Sequence, residues 1–515
     1  MDFNHSVRSY LNRREFLKLG SLFLLAQNLP SVFSRPAKVA AENDLPNILI
    51  ILFDTFSATN ISLHGYPRET TPHLARIADK AIVYHNHFAG GSWTYPGTNS
   101  LLTGSYPWSH RGFYSGRDIV SPYLENNLFS LLDDHHRLAY THNPKVERVL
   151  SQFEDSIDHY EPRHSLYIDN QSWLSKLFGR DFETAALAWE RSIKKGETGY
   201  TGSIFLSEPY NAAQQARYLQ YLEDFPKGPP RILQDEYFLL SDAIDWTQLQ
   251  TQLMPQPYLA YIHLLPPHAQ YTPHRQFIGA FDDVDYEPTK KPRHFMHNKA
   301  KEKTLIEWRT AYDEYILNVD HEFGRLYDYL EAKGVLENTW VIMTSDHGEM
   351  FERGISGHRQ PTFHQPIIRI PLMVLEPGNP TRRDIFSPTV GVDLLPTLLH
   401  LSGRPIPNHL EGIVLPPFAS GIELVDRAIY AADAQKNKPL QPLTEATTMI
   451  VRWPYKLVYY LGYPELPDGK PVFELFDLEN DPEELQNIYA PGSNPSDELT
   501  EELLQRMREK DQPYA

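Results

Sequence analysis

The strongest constraint on the fold of this chain is an apolar run that ends in a carboxylate and then recurs. Pro46-Asn47-Ile48-Leu49-Ile50-Ile51-Leu52-Phe53-Asp54 shows no polar alternation, so both faces of such a strand must be covered, as in a parallel sheet. Thr339-Trp340-Val341-Ile342-Met343-Thr344-Ser345-Asp346-His347-Gly348 repeats the pattern, and Tyr258-Leu259-Ala260-Tyr261-Ile262-His263-Leu264 is a third strand candidate. Helical periodicity separates these runs, for example from Glu307 to Leu330 and from Pro72 to Ala81. Alternating strands and helices predict an α/β fold, a central mostly parallel sheet flanked by helices, with ligands at the carboxyl ends of its strands.

The chain of 515 residues divides into three parts. Asn12-Arg13-Arg14-Glu15-Phe16-Leu17-Lys18, an apolar run from Leu19 to Leu29 and the small-residue site Val39-Ala40-Ala41 read as a twin-arginine export signal over residues 1–41. The competing reading is an amphipathic N-terminal helix of the folded domain. Export predicts a periplasmic or extracellular protein and a passing contact with the twin-arginine machinery. Residues 42–400 form the expected catalytic domain, with an insertion at about 143–256, and residues 401–515 a smaller C-terminal α+β subdomain ending in a charged helix from Ser496 to Lys510. No other apolar run is long enough to span a bilayer.

Charge and cysteine narrow the chemistry. Formal net charge is −18, and residues 1–41 hold six Lys or Arg against two Asp or Glu, which leaves −22 for the remainder. Nucleic acid and anionic membrane surfaces are therefore unexpected partners, and an anionic substrate needs local positive charge or a metal. Cysteine is absent, which excludes disulfides and a thiol nucleophile.

Asp54 and Asp346, each at a strand end, and His347 beside the second form a set of donors suited to one divalent cation, whether Ca, Mg, Mn or Zn. Thr94 follows Gly90-Gly91-Ser92; on a helix N-terminus its hydroxyl could join that metal and attack an ester phosphorus. The alternative for each residue is a helix cap.

These segments resemble the sulfatase family of the alkaline phosphatase superfamily. The resemblance rests on Phe53-Asp54-Thr55, Gly65 to Leu74, Thr94 to Gly104, Pro267-His268-Ala269-Gln270-Tyr271, Thr344 to Glu349, Arg369 to Leu372, Val392 to Leu399 and Leu475 to Ile488, in family order. It implies that Asp54, Asp346 and His347 bind metal, that Thr94 holds the nucleophile position, and that His268 contacts the substrate anion or leaving group. His358 aligns with a further substrate-site histidine or lysine once a one-residue gap is allowed.

The departures shape the chemistry. Thr94 and Thr98 replace the Cys and Arg of the family's Cys-x-Pro-x-Arg signature, Thr55 replaces a second Asp, and Thr141-His142-Asn143 stands where Lys-x-His is usual, so no leaving-group lysine is visible. Without cysteine no formylglycine can be made from it. The remaining residue types are similar to the single-metal set of lipoteichoic-acid synthases and phosphoethanolamine transferases, which use threonine on phosphate esters. The expected function is a metal-dependent hydrolase or transferase with Thr94 acting on a phosphate or related anionic ester, carried by a glycan or envelope polymer. The rival readings are a sulfatase working without formylglycine and a non-catalytic binding protein of the same fold. Arg68 and Arg111 are weaker candidates for anion contacts, and the His135-His136 pair reads as surface.

Overall fold

Strand β1 (Asn47–Phe53) is buried at all seven positions. Its alternate residues serve two cores: Leu49, Ile51 and Phe53 pack into one apolar cluster, Ile48, Ile50 and Leu52 into the other. This two-sided burial is the reason the run contains no polar face. The computed structural model describes residues 45–114, 119–168, 218–232, 236–282, 286–378, 381–419, 426–438 and 440–515. The export signal and much of the expected insertion lie outside the described residues.

The main sheet is built from β1, β2 (Ile82–Tyr84), β3 (His136–Thr141), β4 (His159–Tyr160), β5 (Tyr258–Leu264), β6 (Thr339–Thr344), β7 (Leu372–Leu375) and β8 (Arg383–Ile385). Their spatial order is β8-β2-β7-β6-β1-β5-β3-β4. Only β7 runs against its neighbours, so the sheet is mostly parallel. Register pairs Leu52 with both Thr344 and His263, and Phe53 with Leu264, which brings the carboxyl ends of β1, β5 and β6 level.

Helices α1 (Pro72–Ile77), α2 (Thr94–Thr103), α3 (Pro144–Leu150), α4 (Leu240–Leu253), α5 (Glu302–Ala332) and α6 (Leu394–Leu401) cover the sheet. Helix α5 buries Leu305, Tyr312, Ile316, Val319, Phe323, Leu326 and Leu330, the spacing of one helical face. Its polar residues hold the segment after β1. Tyr312 accepts from the Ser57 amide at 3.0 Å, Asp313 pairs with Arg68 at 2.8 Å, and Asp320 accepts the His73 and Leu74 amides of α1 at 2.8 Å each.

Helices α3 and α4 fall inside the stretch read as an insertion, yet both bury apolar residues in the main cores: Val146, Val149 and Leu150 from α3, Ala243 and Ile244 from α4. They are part of the sheet's own cover. Strands β9 (Ala428–Asp433), β10 (Ala446–Arg452), β11 (Tyr455–Leu461) and β12 (Val472–Asp477) form a separate antiparallel meander. Helix α7 (Ser496–Asp511) closes it with Leu499, Leu503 and Met507. This second sheet belongs to one compact unit that contains residues 45–168 and 214–515. Among the described residues no helix is long and apolar enough to cross a membrane.

Candidate metal and active site

Four side chains converge at the carboxyl edge of β1, β5 and β6. His263 Nε2 lies 3.5 Å from Asp54 Oδ2 and 3.8 Å from Asp346 Oδ2, and His347 Nε2 lies 3.6 Å from Asp54 Oδ1 and 3.4 Å from Asp346 Oδ2. All four side chains are fully enclosed. Asp54 Oδ1, Asp346 Oδ2, His263 Nε2 and His347 Nε2 have no hydrogen-bond partner among the described residues. Enclosed polar atoms without partners are costly, and a divalent cation is one group that would reconcile them.

The backbone is bent to build this edge. Thr55 takes φ 62°, a left-handed conformation rare for a β-branched residue, and its amide donates to Asp346 Oδ1 at 3.3 Å. The His347 amide donates to the same oxygen at 3.0 Å. His347 Nδ1 donates to the Gly348 carbonyl at 2.9 Å, which leaves its Nε2 as a lone pair facing the carboxylates.

Electrostatics follow from the enclosure. Burial, then the Asp54 charge, pushes the Asp346 carboxyl well above the usual range. Burial also works to raise Asp54, but His263, His268 and His347 outweigh it and hold that carboxyl low. Burial and the nearby His358 keep His347 neutral, the form that ligates. The cap reading finds no support at either aspartate. Residues 347–350 are not helical, and the short helix after Asp54 is capped by Ser57.

Thr94 opens α2, as the sequence suggests, with Trp93 at the N-cap and no side-chain capping bond. Its hydroxyl is buried and unpartnered among the described residues. One turn on, Gly97 packs so closely on β6's end that an added Cβ would lie 2.2 Å from the Asp346 carbonyl oxygen. The first turn of α2 is thereby set against the carboxylate cluster. Ser92 donates a short bond to the buried Asp433, and the Ala432 amide bonds the Gly90 carbonyl at 3.2 Å, so the end of β9 clamps the segment leading to Thr94.

The histidines expected on the substrate side, His268 and His358, form a row with His347. The His358 ring lies 4.5 Å from that of His347 and 5.0 Å from that of His268, which sits half-buried at the rim. His358 Nδ1 is 3.0 Å from Glu349 Oε1, and Glu349 Oε2 accepts from the Tyr271 hydroxyl at 3.2 Å. The Nε2 of His358 remains unpartnered among the described residues.

Four site residues escape a reading of the sequence alone: His263, Asn143, Lys145 and Glu349. Asn143 caps α3 and donates a short bond to Asp54 Oδ2. Lys145, two residues past the expected Lys-x-His segment, lies 5.4 Å from the Trp93 ring centroid. Burial lowers its pKa while Asp54, Asp346 and Glu349 oppose the shift, which places the ammonium within their field. The segment Thr141-His142-Asn143 itself carries no lysine, and Lys145 is the lysine that follows it. His263 and Glu349 each gave a faint signal, a lone histidine in an apolar strand and a carboxylate two residues past His347. Arg68 and Arg111 are engaged elsewhere, with Asp313 and Asp511 at 2.8 Å each. His135 is buried, not superficial, and pairs with Asp134 at 2.8 Å.

Known proteins are similar to this chain over most of its length. The family profile described as Sulfatase matches residues 46–404, and one described as the C-terminal region of N-sulphoglucosamine sulphohydrolase matches 358–513. Choline-sulfatase of Rhizobium meliloti (strain 1021) is 28% identical over 495 residues, covering 90% of this chain and 86% of its own. Arylsulfatase K of Bos taurus is 28% identical over 325 residues, 55% of this chain and 56% of its own, so the chain spans about half of that relative. The crystal structure of phosphonate monoester hydrolase of Agrobacterium radiobacter shares the fold, with a TM-score of 0.62 at 19% identity over 90% of this chain and 96% of that one. With that profile spanning both strand-end aspartates, α2 and the histidine row, the chain belongs to the sulfatase family, hydrolytic enzymes of the alkaline phosphatase superfamily.

Proposed function

We propose that this protein is an exported, metal-dependent hydrolase or transferase whose Thr94 hydroxyl attacks a phosphate or related anionic ester. The carrying observation is the buried Thr94 hydroxyl, unpartnered among the described residues, on a helix whose first turn rests against Asp346, in a chain that has no cysteine. Asp54, Asp346 and His347, with Thr94, would hold the cation. When bound, that ion supplies charge neutralisation for the ester's non-bridging oxygens and lowers the pKa of a nearby hydroxyl.

The chain's own groups supply the remaining work. Thr94 Oγ1 releases its proton to solvent and forms the new bond to phosphorus as the bond to the ester oxygen breaks, that oxygen taking a proton from His268, which solvent at the rim then reprotonates. The amides opening α2 and the Lys145 ammonium offer positive charge to the anion. Glu349, itself held by Tyr271, orients His358 beside His268. Water or an acceptor hydroxyl then resolves the threonine ester and frees Thr94.

The test is intact-mass analysis of metal-loaded protein after brief exposure to aryl phosphate, phosphodiester and phosphonate esters, with phenol release followed in parallel. A phosphoryl-type adduct on Thr94, and phenol release lost in Thr94→Ala but partly kept in Thr94→Ser, is the expected result. Release undiminished in Thr94→Ala would overturn the mechanism. The same assay with an aryl sulfate addresses the second reading, which the printed names of choline-sulfatase and arylsulfatase K favour. A glycan or envelope polymer is the proposed carrier of the ester. Export is checked by fractionating cells that express Arg13→Lys/Arg14→Lys; undisturbed secretion would argue against the twin-arginine route.

A further inference from the structure

Position 55 is where the family's second acidic ligand is expected, and here it is a threonine whose amide, at φ 62°, is committed to Asp346. The loss of one carboxylate leaves a site with less negative charge and one donor fewer. The neighbouring strand offers a replacement. His263 is the penultimate residue of β5, paired in register with Leu52 on one side and Thr141 on the other, two residues short of the level of Asp54.

We propose that His263 is a ligand of the site's divalent cation, in place of the carboxylate absent at Thr55, and that the resulting donor set prefers a zinc-class ion to calcium or magnesium. The inference rests on the reading of this site as a cation site and adds to it the identity of one ligand and the class of metal.

Geometry carries the first half. The contacts from His263 Nε2 and His347 Nε2 to the two carboxylates all fall between 3.4 and 3.8 Å. These separations are long for hydrogen bonds. They bring both imidazole nitrogens up to the carboxylates that would share the ion. Asp54, His263 and Asp346 also bring one ligand atom each to within 4.8 Å of the other two. The far side of the His263 ring is held by Tyr261, whose hydroxyl lies 3.0 Å from Nδ1. With the Tyr261 hydroxyl accepting from Nδ1–H, the ring is oriented with the Nε2 lone pair towards the carboxylates, the task outer-sphere partners perform for ligating histidines. The imidazole is fully enclosed, and its Nε2 makes no hydrogen bond of ordinary length among the described residues.

Donor chemistry carries the second half. Calcium and magnesium take oxygen ligands, calcium six to eight of them. Two imidazoles and two carboxylates make a mixed nitrogen and oxygen set, which suits zinc and its neighbours in the first transition row. Replacing Asp by His thus alters the class of ion as well as the count of charges.

The test uses full-length protein stripped with chelator and then dialysed against zinc, cobalt or calcium singly and in competition, with metal content read by plasma mass spectrometry. Cobalt loading adds a visible absorption band that reports coordination. The parent should retain one zinc per chain against excess calcium. His263→Gln should weaken zinc binding at least about tenfold, the lower bound set by losses of outer-sphere partners, and should shift the cobalt band. Thr55→Asp/His263→Gln should move preference back towards calcium, which guards against a trivial folding defect. Zinc affinity and cobalt spectrum unchanged in His263→Gln would overturn the assignment of His263 while leaving the cation site standing. A parent that selects calcium would overturn the metal class, and a parent that binds no divalent ion would overturn the cation site itself.

Discussion

Gly97→Ala sets two physical effects of opposite sign against each other inside α2, the helix that Thr94 opens. Alanine is the better helix former by about 1 kcal/mol, and Gly97 lies in the first turns of α2. Against this, the new Cβ would stand 2.2 Å from the Asp346 carbonyl oxygen and 3.0 Å from its carbon. Ordinary contact begins at 3.4 Å, so α2 and the end of β6 must part by more than an ångström. The obstacle is backbone at both ends, and no side chain can swing aside. Overpacking of this kind costs about 1–3 kcal/mol, which offsets the propensity gain and predicts a net destabilisation of up to about 2 kcal/mol. The effect on turnover should be larger. A shift near 1 Å between Thr94 and the carboxylate cluster is expected to lower the rate about a hundredfold. Urea unfolding followed by tryptophan fluorescence and aryl ester turnover measure the two quantities. A Gly97→Ala protein as stable as its parent, with undiminished turnover, would refute the close approach of α2 to Asp346.

Other consequences follow from single contacts. Arg427→Ala strips the bidentate partner, at 2.6 and 2.7 Å, from the buried Asp393 and should cost about 3–5 kcal/mol by urea unfolding; a loss under 1 kcal/mol would show that Asp393 finds other compensation. Asp433, raised by burial from 3.8 to about 6 despite its bonds from Ser92 and Gln435, favours the protonated form in the fold. Its contribution relative to Asp433→Asn is therefore fullest below pH 4 and declines by up to about 3 kcal/mol as pH rises through 6; a pH-independent difference between the two proteins would contradict this. Lys145→Ala should reduce kcat/KM on anionic aryl esters about 10- to 100-fold, the worth of one charged contact, with Lys145→Arg recovering part; equal kcat/KM in parent and Lys145→Ala would remove Lys145 from the site.

The strands that build the site were legible because burial on two faces leaves an unmistakable mark on sequence. Asn47–Phe53, Tyr258–Leu264 and Thr339–Thr344 are apolar without alternation, and the carboxylates of Asp54 and Asp346 fall just past their ends. Helix α5 was readable from its 3.6-residue period, although it extends to Glu302–Ala332, beyond the Glu307 to Leu330 of the clear pattern. Thr94 announced itself through the residues around it.

Lys145 did not, since it falls four residues past the position of the expected lysine, and Asn143, at the histidine position of that segment, shows its bond to Asp54 only in the folded chain. His263 was visible merely as an oddity in an apolar strand; its meaning depends on the register that aligns it with Leu52 and Thr141. The clamp from Asp433 onto Ser92 spans 341 residues and leaves no local trace at either end. Sequence by itself determined what each segment must bury, because hydrophobic periodicity is a local property of the chain. Tertiary structure alone decided which donors meet, because convergence at a sheet edge depends on strand order, register and turn geometry, and none of these is written in any one segment.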